Sequence, residues 1–212
     1  MAPEGRKILS FLLILTSGLF LIGIFIRLPI FQILGGISSF LLAFSLNFFR
    51  DPERNIPDEK NIIIAPADGK ITNIQTIDDL DVGENCTLIS IFLNVFNVHV
   101  NRVPIDGEVI STERNSGQFV SAYRHDAADV NEQVTTVFKT ELGTVKVKQI
   151  AGILARRIHC YAKTGERMVQ GRRFGFIMFG SRTDVILPPA VNVIVETGQR
   201  IKGNETVIGK YK

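Results

Sequence analysis

The chain has 212 residues, 45% of them hydrophobic, with 24 Lys and Arg against 21 Asp and Glu. That length suits one ordinary domain plus an appendage, and a net charge of +3 gives no argument for a nucleic-acid partner. The two cysteines, Cys86 and Cys160, stand in no metal-ligand spacing, which argues against a zinc site or a disulfide framework and for a reduced, cytoplasmic setting with both thiols in the core.

The hydrophobic excess lies at the N-terminus. Residues 8–26 are almost wholly apolar, Arg27 interrupts, and residues 28–49 are apolar again apart from Pro29, Gln32 and the Gly35-Gly36 pair. About 20 such residues cross a bilayer, so two spans turning at Arg27-Leu28-Pro29 predict a helical hairpin. Arg6 and Lys7 precede it and Arg50 and Arg54 follow it, which puts both ends and the body of the protein on the cytoplasmic face of the cell (inner) membrane. A cleaved signal peptide fits less well, because a second apolar run follows at once. A shallow re-entrant hairpin is the alternative, since Arg27 is costly deep in lipid. The exit, NFFRDPER at residues 47–54, has interfacial aromatics and headgroup-level charges, and Pro52 and Pro57 end any helix. The predicted division is residues 1–54 for the membrane segment and 55–212 for a second domain.

From Asn61 the pattern becomes short strands: 62–65, the turn PADGK at 66–70, then 71–77. Asp68 by itself is a turn residue, as Asp-Gly favours. Asp78, Asp79 and Asp81 read as a solvated loop. Residues 87–100 give the strongest strand signal and carry His99 near their end, before the polar segment NRVPIDG at 101–107. A strand-end histidine is usually structural, but a general base is placed in such a setting. Residues 115–129, with His125, read as a loop; Asn131-Glu132-Gln133 opens a strand over 134–140, Gly143 turns the chain into a strand over 145–153, and 156–161 carries His159 and Cys160.

Two pairs of stretches look alike. TGERMVQG at 164–171 parallels TGQRIKG at 197–203, and PADGKI at 66–71 parallels PIDGEV at 104–109. Paired short strands with Gly turns predict a mainly β domain of two interlocked, lipoyl-like half-barrels forming a barrel or sandwich. Lipoyl- and biotin-carrier domains share such duplication, but no modifiable Lys at a hairpin tip is found here. Residues 151–182 carry Arg156, Arg157, Lys163, Arg167, Arg172, Arg173 and Arg182 against the single acid Glu166. Such a face is either a solvated surface or one that meets anionic lipid.

The most unusual stretch is RRFGFIMFGSRTD at 172–184. An apolar strand ends in Gly180-Ser181, and a charged turn, Arg182-Thr183-Asp184, follows. Taken alone, Gly-Ser is an ordinary turn. Glycine also tolerates the strained backbone that would let the Ser181 hydroxyl reach the Gly180 carbonyl.

FFRDPER at 48–54, PADGKI at 66–71, NVHVNRVPIDG at 97–107, NEQ at 131–133 and RRFGFIMFGSRTD at 172–184 together resemble the phosphatidylserine decarboxylase proenzymes, in their short bacterial and archaeal form. The motifs span nearly the whole chain and keep the family's order. The resemblance implies self-cleavage between Gly180 and Ser181, leaving a large chain, 1–180, and a small chain, 181–212, headed by a pyruvoyl group made from Ser181. That group would form a Schiff base with the amine of phosphatidylserine and serve as an electron sink, giving phosphatidylethanolamine with no metal and no added cofactor. By the same resemblance Ser181 is the nucleophile, His99 the base and Asp68 the carboxylate that orients it. Longer members carry two histidines three apart before the proline; here His99 is followed by Arg102. Arg102, Arg156, Arg157, Arg172 and Arg173 are candidates for holding the lipid phosphate or carboxylate. Membrane lipids are the other expected partner, nucleic acid is not, and an oligomer is compatible with the sequence. The competing readings are a pyruvoyl decarboxylase of a soluble amino acid and a membrane-anchored, non-catalytic lipoyl-like adaptor.

Overall fold

The computed structural model describes residues 1–123, 127–153, 157–178 and 180–212. The chain divides into two compact units, Met1–Glu53 and Arg54–Lys212. The first unit is a helical hairpin. After a 3-10 turn, Pro3–Gly5, come α1, Arg6–Ile26, and α2, Pro29–Phe48. The turn between them falls where the sequence placed it. Arg27 caps α1 in the left-handed region at φ 58°, Leu28 is extended as a residue before proline must be, and Pro29 supplies the preset first position of α2. Small residues let the helices approach: a Cβ on Gly23 would stand 3.3 Å from Phe31, and Thr16 and Ser38 share a buried 2.7 Å hydroxyl hydrogen bond. Both helices are long and apolar enough to cross a membrane.

The second unit is mainly β. In chain order its strands are β1 Ile62–Ile64, β2 Gly69–Asp79, β3 Gly83–Leu93, β4 Val100–Arg102 and β5 Gly107–Asn115. After a helical turn, α3 Ala127–Val130, follow β6 Gln133–Thr140, β7 Gly143–Ile150, β8 Ile158–Cys160, β9 Arg167–Met168, β10 Arg173–Ile177 and β11 Ser181–Leu187. The last are β12 Asn192–Val193, β13 Arg200–Ile201 and β14 Val207–Lys210. Eight strands form one curled sheet in the order β13-β2-β3-β11-β7-β6-β5-β9, with two three-stranded sheets, β1-β14-β12 and β4-β10-β8. Ile63, Ile71, Ile89, Ile91, Val103, Phe138, Val147, Phe174 and Val185 build the main core.

The repeated motifs occupy equivalent places at the two edges of the large sheet. PADGKI opens β2, which pairs with β13 through Arg200↔Lys70 and Ile201↔Gly69; PIDGEV opens β5, which pairs with β9 through Glu108↔Arg167 and Gly107↔Met168. The backbone bonds repeat as well: Gly198 N–H donates to Ile71 O and Gly165 N–H to Val109 O, both at 2.8 Å. Asp68 accepts from the Gly203 N–H at 2.9 Å, and Asp106 accepts from the Gln170 N–H at 2.6 Å. Gln170 is thus the counterpart of Gly203, and Gly171, at φ 79°, of Asn204, at φ 67°.

Three local expectations change. The 87–100 strand is two strands, because the Asn97 side chain accepts from the Asn94 N–H and the Asn94 side chain from the Phe96 N–H, and these Asx bonds fold the chain between β3 and β4. Asp79 is not solvated: it ends β2 and is paired with Lys146, and both side chains are about nine-tenths buried. Burial pushes the Asp79 carboxyl up, but the Lys146 ammonium and the N–H groups of Asp81 and Val82 outweigh it and hold it below the ordinary carboxylate range. The segment after Gly180 is no charged turn but the buried strand β11, with β3 and β7 on its two sides. Of the cysteines, Cys86 is buried, whereas Cys160 is half-buried. No disulfide joins them.

Candidate active site at the Gly180-Ser181 crossing

Three links join neighbouring strands of the large sheet to neighbouring strands of the β4-β10-β8 sheet. Residues 94–99 join β3 to β4, residues 151–157 join β7 to β8, and residues 178–180 join β10 to β11. The order of the strands is the same on both sides: β11 lies between β3 and β7, and β10 lies between β4 and β8. The Gly180-Ser181 bond is therefore on the middle crossing. Ser181 pairs with Leu93, Arg182 with Ile150, and Ile177 with Ile158, while the Ile177 N–H donates to His99 O at 3.2 Å.

Gly180 has φ 59°, a left-handed conformation that glycine enters at no steric cost. Its chain neighbours aside, no atom of the described residues lies within 4 Å of where its Cβ would be, so conformation and not crowding selects glycine there. Ser181 is fully buried, and its Oγ has no hydrogen-bond partner among the described residues. Buried hydroxyls are normally satisfied, so one that is not calls for an explanation.

His99 is fully buried on the neighbouring crossing, at the same end of the sheets as Ser181. Its Nδ1 lies 2.9 Å from the Asn97 carbonyl oxygen. A carbonyl only accepts, so Nδ1 carries a proton, and whenever the ring is neutral Nε2 carries the lone pair.

Asp68 does not meet His99. Arg54 grips both carboxylate oxygens, Nη2 donating to Oδ2 at 2.9 Å, and the Gly203 N–H takes Oδ1 as well. Arg54 Nη1 donates in addition to Gly203 O at 2.9 Å. The physical reason is the duplication: Asp68 holds the turn that Asp106 holds in the other half, with a guanidinium added. The turn still bears on the site, because the Arg102 N–H donates to Pro66 O at 2.8 Å and so ties it to β4.

The basic stretch does not form one face. Arg182 is buried and forks onto Asp184 at 2.6 and 2.7 Å and onto Ser90 Oγ at 2.8 Å. Burial pushes the Asp184 carboxyl upward against the pull of that guanidinium. Arg172 pairs with Glu166 at 2.8 Å, and Arg173 stacks on Tyr161 and Phe176. Arg102 donates to Gly171 O at 3.1 Å and faces Arg173 in the β4–β10 register. Arg156 lies outside the described residues, as does His125.

Two supports behind the crossing were not expected from the sequence. Gln149 Nε2 donates to Asn101 Oδ1 at 2.7 Å, and Asn101 Nδ2 to Thr183 Oγ1 at 3.4 Å, so a fully buried polar layer ties β7, β4 and β11 together. Asn131 donates to Ala151 O at 2.7 Å and to Val120 O at 2.8 Å, fastening the start of the 151–157 crossing to the 116–123 loop. The NEQ motif marked Asn131, but without a partner to explain it.

Comparison with known proteins places this arrangement. The phosphatidylserine decarboxylase family model matches residues 41–209. Phosphatidylserine decarboxylase proenzyme of Chlorobium phaeobacteroides is 45% identical over 174 residues, 82% of each chain. Those of Chlorobaculum tepidum and Geobacter metallireducens are 39% and 40% identical over 209 residues, covering 99% and 98% of this chain and 97% and 95% of theirs. The chain belongs to the phosphatidylserine decarboxylase family.

Proposed function

We propose that the chain cuts itself between Gly180 and Ser181 and then decarboxylates phosphatidylserine to phosphatidylethanolamine. The observation that carries this is the Ser181 hydroxyl, buried and without a hydrogen-bond partner among the described residues, directly after a left-handed Gly180 on the middle crossing. These residues fit a pyruvoyl precursor: the nucleophile is dry and uncommitted, and the residue before it can take the backbone that attack requires.

In the cleavage, Ser181 Oγ bonds to the Gly180 carbonyl carbon and the Gly180 C–Ser181 N bond breaks. His99 Nε2 takes the Oγ proton and returns one to the Ser181 nitrogen, leaving an ester. Elimination then frees the Gly180 carboxylate, and one water replaces the nitrogen, which leaves as ammonia. The pyruvoyl group so formed supplies a carbonyl that captures a primary amine and draws off the electrons released with carbon dioxide. Asp68, through Arg54 and the 66–70 turn, supports the strand after His99. Arg102, Arg172 and Arg173 are the candidate partners of the lipid phosphate and carboxylate, with Arg156 beyond the described residues.

The hairpin presents apolar side chains outward, Phe25 at 82% and Phe40 at 71% exposure, a surface suited to lipid and not to water. We place it in the cell membrane, with the β unit on the cytoplasmic side. The test is product formation from vesicles of phosphatidylserine. Phosphatidylethanolamine and carbon dioxide should form with the wild type and not with Ser181→Ala. A wild type that is cleaved yet decarboxylates only soluble amino acids would overturn the substrate assignment.

A further inference from the structure

Gly152 lies on the 151–157 crossing, beside the bond to be cut. A Cβ on Gly152 would stand 2.0 Å from the Gly180 carbonyl oxygen, 3.0 Å from its carbon and 3.3 Å from the Ala122 Cβ. Real Cβ contacts essentially never fall below 3.0 Å, and the atom approached is backbone, which cannot swing aside as a side chain does. Gly152 is not among the left-handed residues, so space excludes a side chain there, not backbone strain. The two glycines at the crossing thus have opposite reasons. Gly180 needs its conformation and has room to spare; Gly152 has an ordinary φ and no room.

The Gly180 carbonyl is the group that Ser181 Oγ attacks in the self-cleavage proposed above, on which this inference rests. We propose that Gly152 is a positioning residue for that attack: its missing side chain lets the Gly180 carbonyl lie against the 151–157 crossing, with its carbon held toward Ser181 Oγ. A methyl group at position 152 forces the carbonyl back by roughly an ångström or more, and displacements of about 1 Å at a reacting centre cost on the order of 100-fold in rate. Asn131 sets the other side of the seat, since its bonds to Ala151 O and Val120 O keep the crossing from retreating.

The test follows chain cleavage of the full-length protein by intact mass after synthesis, for wild type, Gly152→Ala and Ser181→Ala. Parallel samples receive hydroxylamine, which cuts an ester and leaves an amide intact. Gly152→Ala is expected to cleave about 100-fold more slowly, to resist hydroxylamine, and to melt within a few degrees of the uncut Ser181→Ala protein. Adding Ala122→Gly, which removes the Ala122 Cβ 3.3 Å from the new methyl group, should restore part of the rate. Cleavage of Gly152→Ala at the wild-type rate overturns the proposal. So does an uncut Gly152→Ala chain that hydroxylamine splits, because the attack would then have occurred. If Gly152→Ala does not fold, the double variant is compared with Ala122→Gly alone: the contact with the Gly180 carbonyl remains in it, so it should still cleave more slowly, and equal rates overturn the proposal. A wild type that never cleaves would instead remove the self-cleavage reading itself.

Discussion

At the scale of single residues, the site is defined by what each polar group is bonded to. Ser181 Oγ has no hydrogen-bond partner among the described residues, while His99 Nδ1 lies on the Asn97 carbonyl. A positioned base contributes about 10²- to 10⁴-fold, so His99→Ala should slow cleavage by at least about 100-fold; cleavage at normal speed would remove His99 from the reaction. Asp68 has a different part. Its side chain is 9% exposed and that of Arg54 is 12% exposed, and breaking such a pair takes the bidentate carboxylate from a buried guanidinium, which keeps the longer 3.4 Å contact to Glu205. The cost should be about 3 kcal/mol or more, a fall in melting temperature of about 6 to 12 °C in Asp68→Ala. An unchanged melting temperature would mean that the pair contributes nothing to the fold.

At the scale of elements, the duplicated motifs were legible because turn chemistry is local: Asp-Gly and Thr-Gly mark where β2, β5, β9 and β13 begin. Charge patterning misled. Arg182 and Asp184 alternate with Thr183 on one face of a strand, and their mutual pairing lets a charged segment be buried; a sequence shows the charges but not the partner. Gly152 was hidden for a related reason, since its neighbour in space is 28 residues away in sequence and the constraint is a distance. Asp79 was misread in the same way, its partner Lys146 lying on β7. Its carboxyl is held below the ordinary range when folded, so the stability it adds is present above the unfolded value near pH ~4 and is lost as pH falls through the folded value. Lys146 is pushed up: burial opposes this, but its bonds to Asp79 and Asp81 prevail, and its contribution is present below about pH 10 and lost as pH rises through the folded value. Asp79→Asn should therefore lower the melting temperature most across neutral pH, and its difference from wild type should shrink below about pH 4. A difference that stays constant down to pH ~2 would contradict the ion pair as its source.

At the scale of the whole molecule, a hairpin suited to lipid and a β unit with a dry nucleophile share one chain. Both were readable from the sequence, the hairpin from hydropathy and the β unit from its repeats, because each rests on a pattern repeated over many residues. Full-length protein should sediment with membranes and stay there through high salt and alkaline carbonate, being released by detergent. Release by salt alone would mean that charge, and not the hairpin, holds it.

The self-cleavage proposed for Ser181 makes the crossing between β10 and β11 a link built to be cut. The most direct measurement is the intact mass of the purified full-length protein beside a Ser181→Ala control. The expected result is two chains divided after Gly180, the small one blocked at its N-terminus by a pyruvoyl group, and a single full-length chain in the control. A wild type that keeps its full mass while folded would contradict the claim and leave Gly180-Ser181 an ordinary entrance to a strand.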